Sequence, residues 1–235
     1  VNFRATADIN AGQDNIVLTQ KTAGSITVTL DADQAKEGAG NEMAEAFVSL
    51  TNATSAKLVF DTSYANKAGS QGDESAVWGD DNVSYMKLGT GAAKSVNIVS
   101  GGSNSLNIAE IGDLSGESVL DTVTVTGDQA LGLMLYGDSA VSTVDASAAT
   151  GGLIFDMSDL ENGGLLKLGT GQDTILVTNT NAIEDFKIED LEFISNFEKT
   201  DSVAVSDVAG DAKAKDAAIA DADKLVLDGA KVANA

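Results

Sequence analysis

The chain contains no cysteine, no proline and no histidine. Without cysteine there is neither a disulfide framework nor a thiolate metal site, and without histidine the usual general base and the usual zinc ligand are missing. The Ser/His/Asp constellation is excluded on the same ground, and no G-x-x-x-x-G-K-[ST] phosphate cradle occurs. The lack of proline favours uninterrupted ladder hydrogen bonding. Positive charge is scarce as well: 14 Lys and Arg stand against 36 Asp and Glu, a net charge of −22. Such a surface repels phosphate backbones and anionic lipid, so neither nucleic acid nor a lipid surface is an expected partner. Self-repulsion also opposes compaction unless cations screen or bridge the carboxylates, and hard divalent cations taking oxygen ligands are the natural counterpart; acidity that serves solubility alone is the plainer alternative. No run of 18 apolar residues occurs, which excludes insertion by an apolar helix. A chain without cysteine is compatible with any compartment, including long residence outside the cell.

What the chain does have is Thr, Val, Ser, Gly, Ala and Asp in abundance, the composition of many short strands joined by small-residue turns. The stretch Leu168-Gly169-Thr170-Gly171-Gln172-Asp173-Thr174-Ile175-Leu176 is a glycine turn feeding a β-branched run with one carboxylate at the junction. It fits the nonapeptide G-G-x-G-x-D-x-U-x at all but the first position, a pattern in which glycine carbonyls and the aspartate face a calcium ion and the apolar residue enters a stacked β-core. Ile9 to Thr19 aligns with Leu168 to Thr178 without gaps, sharing Gly-Gln-Asp and the next isoleucine. Lys87-Leu88-Gly89-Thr90-Gly91 repeats Lys167 to Gly171, with Ala93 where the aspartate would stand. The intervals of 79 positions from Gly12 to Gly91 and 80 from Gly91 to Gly171 fit either three related units or one turn type recurring in a long solenoid.

Along the chain, Asn15 to Gln20 and Ser25 to Leu30 are expected as two strands, the second alternating Ile26, Val28 and Leu30 with Ser25, Thr27 and Thr29. Asn41 to Leu50 is expected as a short helix presenting Met43, Phe47 and Leu50 on one side. Lys57 to Phe60 follows as a strand. Residues 61 to 81 form a long polar stretch with Tyr64 and Trp78, in which Trp78 either anchors the loop or stacks on a sugar or a neighbouring subunit. Apolar-polar runs then start near Val83, Ser95, Ser105, Val119, Leu131, Val141, Leu153, Leu165 and Thr174, at intervals of roughly 10 to 14 residues. Two such strands per coil make a coil of about 20 to 25 residues, which suits a β-solenoid. Asp211 to Asp221 is expected as a second, surface helix and Lys224 to Leu227 as a last strand. The expected fold is therefore all-β, a β-solenoid of parallel β-helix or β-roll type with irregular loops and one or two short helices. Its regions are a β-rich part with a long loop (1–82), a solenoid-like part (83–205) and an Ala/Asp-rich tail with a terminal strand (206–235). The start, Val1-Asn2-Phe3-Arg4, lacks Met and a charged-then-apolar leader, and reads as an excised segment of a longer or processed chain.

Val123 to Leu133, with its Val-Thr-Val-Thr-Gly-Asp, and Val141-Ser142-Thr143-Val144-Asp145-Ala146-Ser147-Ala148-Ala149-Thr150-Gly151-Gly152-Leu153 resemble the repeated "VTVTG…L…VSTVDASAATGGL" segments of bacterial surface-layer proteins. These are exported by type I secretion and related to the calcium-binding RTX group. Ile194 to Val203 is similar to the "I-x-D-F-x-x-x-D-x-I" strand pair near the end of such chains, with Asn196 in place of the usual aspartate. The resemblance covers about Thr122 to Val205. It implies a β-rich solenoid on the bacterial cell surface, calcium-dependent folding outside the cell, and assembly with identical subunits into a lattice, with lipopolysaccharide or another surface glycan as a further partner. RTX calcium sites use tandem nonapeptides, whereas here the nonapeptide stands alone.

The candidate calcium ligands are Asp173 with Gly171 and Gly169, Asp14 with Gly12, and the strand-flanking Asp145 and Asp201. Glycines are expected at these turns for backbone conformations that only glycine adopts cheaply, and the alternative role for each aspartate is to cap backbone amides. The acidic pairs Asp80 with Asp81, Glu184 with Asp185 and Glu189 with Asp190 do not make a glycosidase, because neighbours on a regular strand point to opposite faces. No enzyme is expected. The functions that follow are a self-assembling, calcium-dependent surface-layer segment, or a calcium-binding adhesin segment of a type I-secreted protein that recognises a surface or glycan.

Overall fold

The computed structural model describes residues 2–5, 16–31, 33–34, 44–61, 63–64, 83–103, 106–112, 118–136, 141–156, 160, 164–177, 194–196 and 202–205. All regular structure among them is β. The strands are β1 (Asn2–Ala5), β2 (Ile16–Leu30), β3 (Asp33–Gln34), β4 (Ala44–Phe60), β5 (Ser63–Tyr64), β6 (Val83–Gly89), β7 (Ser95–Ser100), β8 (Leu106–Gly112), β9 (Thr122–Gly127), β10 (Leu131–Tyr136), β11 (Thr143–Ala149), β12 (Leu153–Asp156), β13 (Leu165–Lys167), β14 (Thr174–Val177), β15 (Ile194–Ser195) and β16 (Ser202–Val205).

Every pairing is parallel, and alternate strands pair, so the chain winds in coils. Two ladders result. The first runs β1, β2, β4, β7, β9, β11, β13, β15, and the second runs β2, β4, β6, β8, β10, β12, β14, β16. The long strands β2 and β4 pass through the corner and belong to both. In β4, residues 44 to 49 pair with β6 and residues 56 to 60 with β7. The two expected strands at Asn15–Gln20 and Ser25–Leu30 are thus one strand whose register shifts between Thr19 and Ser25, where it turns from the second ladder to the first. From Val83 on, the strand starts follow the sequence pattern. Leu131 lies beside Leu153, and Ile154 beside Thr174, so one coil takes about 20 to 25 residues, as that pattern implied. The ladders are unbroken across residue 82, since β4 pairs with β6 and β7.

Period-two alternation builds the core. On the first ladder Ile26, Ala56, Val96, Val123, Val144 and Leu166 stack in register and are all buried; on the second, Met86, Ala109, Leu133, Phe155 and Ile175 do the same. Side chains from both ladders merge in one continuous apolar cluster. Because each coil buries its apolar residues only against its neighbours, stability is approximately a sum of coil-to-coil contacts.

The helix expected over Asn41 to Leu50 does not form: residues 44 to 60 are strand β4. Val48 and Leu50 point inward at 1% and 4% exposure, and Phe47, just before them, is half-buried on the outer side. The spacing of Phe47 and Leu50 is incidental, and ladder bonds to β2 and β6 override the local helical preference. The segments Asp211 to Asp221 and Lys224 to Leu227, and most of the 61 to 81 stretch including Trp78, lie outside the described residues.

Candidate functional site

The turn Leu168 to Asp173 carries the chain from β13 on the first ladder to β14 on the second, at the same corner as the turns after β7, β9 and β11. Successive turns bond to one another. Gln129 N donates to Ser100 O (3.1 Å), Thr150 N to Gly127 O (2.8 Å) and Thr170 N to Ala149 O (3.1 Å). This close stacking explains the glycines. A Cβ on Gly169 would collide with the carbonyl of Ala149, and one on Gly171 with the backbone of Gly151. The reason for glycine at 169 and 171 is therefore the approach of the preceding coil rather than the left-handed conformation expected. That conformation occurs instead at Gly127 (φ 112°) and at Gly91 (φ 55°).

Asp173 is fully buried. Its Oδ1 accepts a hydrogen bond from Leu153 N at 2.6 Å. The neighbouring coils show what this bond replaces. Asn107 N donates to Ala130 O (2.9 Å), and Leu131 N to Gly152 O (2.8 Å), each a main-chain bond to the residue ahead of the next coil's strand. At Leu153 the aspartate side chain takes the place of the main-chain carbonyl. The capping role set out as the alternative for Asp173 is thus realised in one of its oxygens. An asparagine works at the same corner three coils earlier: buried Asn107 donates from Nδ2 to Ser100 Oγ (2.9 Å) and Gly101 O (3.0 Å), tying its strand to the turn before it.

Asp145 is elsewhere, on the outer side of β11. Its Oδ1 accepts from Ser147 Oγ (2.6 Å) and Ser147 N (3.1 Å), and its Oδ2 lies 2.9 Å from Lys167 Nζ, one coil on. The Ser147 hydroxyl and then the Lys167 ammonium hold its carboxyl below the ordinary value of 3.8. The bonds to Ser147 bridge the register shift between Asp145 and Ala148, so Asp145 fastens a bulge. Asp14, Gly12 and Asp201 lie outside the described residues. Among the described residues no three Asp or Glu side chains gather as a metal-binding group. Asp173 and Asp145 sit on different ladders, one on a backbone amide and the other on an ammonium. The two carboxylates therefore do not share a site.

The repeat at Lys87 to Gly91 proves to be a different turn. It follows the second-ladder strand β6 and leads to the first ladder, so it lies at the opposite corner from Lys167 to Gly171. The interval of 80 residues from Gly91 to Gly171 therefore marks no structural unit. Ala93, in the aspartate's place, is buried in the core.

Sequence reasoning missed a cluster on the outer side of the second ladder. Tyr85 Oη and Lys87 Nζ both bond the carboxylate of Glu110 on the next strand. Lys87 Nζ also sits 4.5 Å from the centroid of the Tyr136 ring, and Phe47 meets Tyr85 edge-on with centroids 5.8 Å apart. Beside them Leu106 and Ile108 are buried with Tyr85, Ala130, Met134 and Ile154 in a second apolar cluster. The signal was present: Leu131 to Tyr136 is too continuously apolar for a strand with one wet face.

No family model, no curated protein and no solved structure matches this chain.

Proposed function

We propose that the chain is a structural, non-enzymatic segment of a calcium-dependent bacterial surface layer, secreted by the type I route and assembling with copies of itself outside the cell. The observation that supports this reading best is the uninterrupted stack of parallel coils with one continuous core, a scaffold that extends by repetition. The resemblance of Thr122 to Val205 to surface-layer repeats points the same way. The charge of −22 supplies the calcium dependence: crowded like charges oppose close packing of subunits, and divalent cations lower that repulsion where monovalent salt only screens it. Calcium thus acts here on the acidic surface as a whole, and a ligand that binds only the folded, assembled state stabilises it by mass action. The surface glycan of the cell is the proposed anchor.

The test compares the purified protein in EDTA and in millimolar Ca²⁺, following melting temperature and assembly by electron microscopy. Ordered sheets and a raised melting temperature with Ca²⁺ are expected. Equal melting temperature and equal assembly in both conditions would remove the calcium part of the proposal.

A further inference from the structure

The outer sides of the two ladders differ. On the second ladder Leu106 and Ile108 point outward yet are 8% and 5% exposed, whereas on the first ladder no outward side chain between β2 and β13 is buried. This open face is also close to neutral. Its charged side chains are Lys57, Asp145 and Lys167, a net of +1 in a chain of −22, while Asp61, Asp121 and Asp128 lie in the turns that bound its strands. Two columns cross it in register. Lys57, Asn97, Thr124 and Asp145 stand on four successive rungs, β4, β7, β9 and β11. Two residues earlier on the same rungs stand the hydroxyls of Ser55, Ser95, Thr122 and Thr143. Lys57 is exposed and bonds no carboxylate among the described residues, and Asp145 stands at the other end of its column.

We infer that this face pairs with the same face of a second copy of the chain, about a two-fold axis that runs parallel to the strands, midway between β7 and β9. The inference deepens the assembly reading above and rests on it for the identity of the partner. Such an axis reverses the order of the rungs and keeps each column opposite itself. The first and fourth rungs of the column then meet, which sets Lys57 of one copy against Asp145 of the other. The second and third rungs meet as well, which sets Asn97 against Thr124. The hydroxyl column matches in the same way, Ser55 with Thr143 and Ser95 with Thr122. Because the contact is isologous, every pairing occurs twice. Asp145 is the one carboxylate on this face among the described residues, so the position of the axis follows from giving Lys57 its counter-charge.

Like charge opposes self-association of so acidic a chain, so copies meet best where charge is low and complementary. Interface cores are depleted of charged residues, and packed sheets keep their strands nearly aligned, as this axis does. Area sets the strength of the contact. Six rungs from β2 to β13 span about 24 Å and five residues of strand about 17 Å, so roughly 400 Å² of face is covered on each copy. That is about half of the ~800 Å² per partner of a stable complex. The pair is therefore weak alone. It forms where many copies are held together and where divalent cations lower the repulsion of the remaining acidic surface, which ties it to the calcium-dependent layer.

Ser25, Ser55 and Ser95 lie in one column on three successive rungs, and a chain without cysteine accepts a single nitroxide at each through Ser25→Cys, Ser55→Cys or Ser95→Cys. Across the two-fold, like sites are five, three and one rung steps apart, which for sheets about 10 Å apart gives Cα separations of about 26, 17 and 11 Å. Dipolar EPR on the assembly formed in millimolar Ca²⁺ should return separations in that order. A contact made by translation alone gives one separation at all three sites. That result, or no dipolar coupling at Ser95→Cys, overturns the face pairing and leaves the assembly reading in place. In a second variant, Lys57→Glu sets a carboxylate against Asp145 twice per pair. Sedimentation in Ca²⁺ should show self-association weakened about tenfold or more, with the melting temperature of the monomer unchanged. Association equal to that of the parent overturns the pairing. Absence of any assembly in Ca²⁺ overturns both readings. Pairs of chains that never form ordered sheets uphold the pairing and overturn the surface layer.

Discussion

Asp173 offers the sharpest test of what the glycine turn does. The carboxylate is fully buried and its Oδ1 accepts the amide of Leu153 at 2.6 Å, in the place of a main-chain ladder bond. In Asp173→Ala that buried N–H loses its acceptor, and a buried donor left unsatisfied costs about 1–3 kcal/mol. For a chain of this size the expected fall in melting temperature is roughly 2–12 °C. Asp173→Asn keeps an oxygen of the same shape at the same site, so it should retain most of the stability lost in the alanine variant. The assay is thermal or urea unfolding followed by circular dichroism, run in EDTA so that no metal contributes and, in a parallel set, in millimolar Ca²⁺. Alanine is expected to destabilise and asparagine to stay close to the parent. If alanine is neutral in EDTA but abolishes a stabilisation that Ca²⁺ gives the parent, Asp173 is a calcium ligand and the clasp to Leu153 is not what holds the coil.

Other expectations follow from the same geometry. Gly127→Ala places a Cβ against the carbonyl of Ser100 at a φ of 112°, and should cost more than about 2 kcal/mol, whereas Gly101→Ala, with its nearest contact at 3.1 Å and no left-handed φ, should cost clearly less in the same unfolding assay. Phe155→Ala empties a fully buried site between Leu133 and Ile175, with an expected loss of about 3–5 kcal/mol in urea unfolding. The lowered value of Asp145 means that its ionised form favours the fold: the contribution is complete above 3.8 and is lost as pH falls through the lower folded value. Lys167→Met should therefore move acid unfolding to higher pH, by an amount worth less than about 1 kcal/mol because the pair is partly exposed, and by less still in high salt.

Much of this fold was legible in local pattern. The strand starts from Val83 to Thr174, the alternation of inward Ile, Val and Leu with outward Ser and Thr, and the coil of two strands all follow from period-two sequence punctuated by glycine and aspartate turns, because a parallel ladder repeats the same environment each coil. What was not legible depends in each case on what lies one coil away. Residues 44 to 60 are strand because β2 and β6 offer ladder partners on either side, a benefit no window of ten residues contains. Gly169 and Gly171 are glycine because the preceding coil's backbone leaves no room for a Cβ, and nothing in their own turn records that. The sequence by itself determined a β-rich, cysteine-free, strongly acidic chain with solenoid spacing. Tertiary structure alone decided that the twin motifs at Gly91 and Gly171 lie at opposite corners, and that Asp173 turns inward to bond Leu153, since neighbouring coils and not neighbouring residues set where a carboxylate finds its donor.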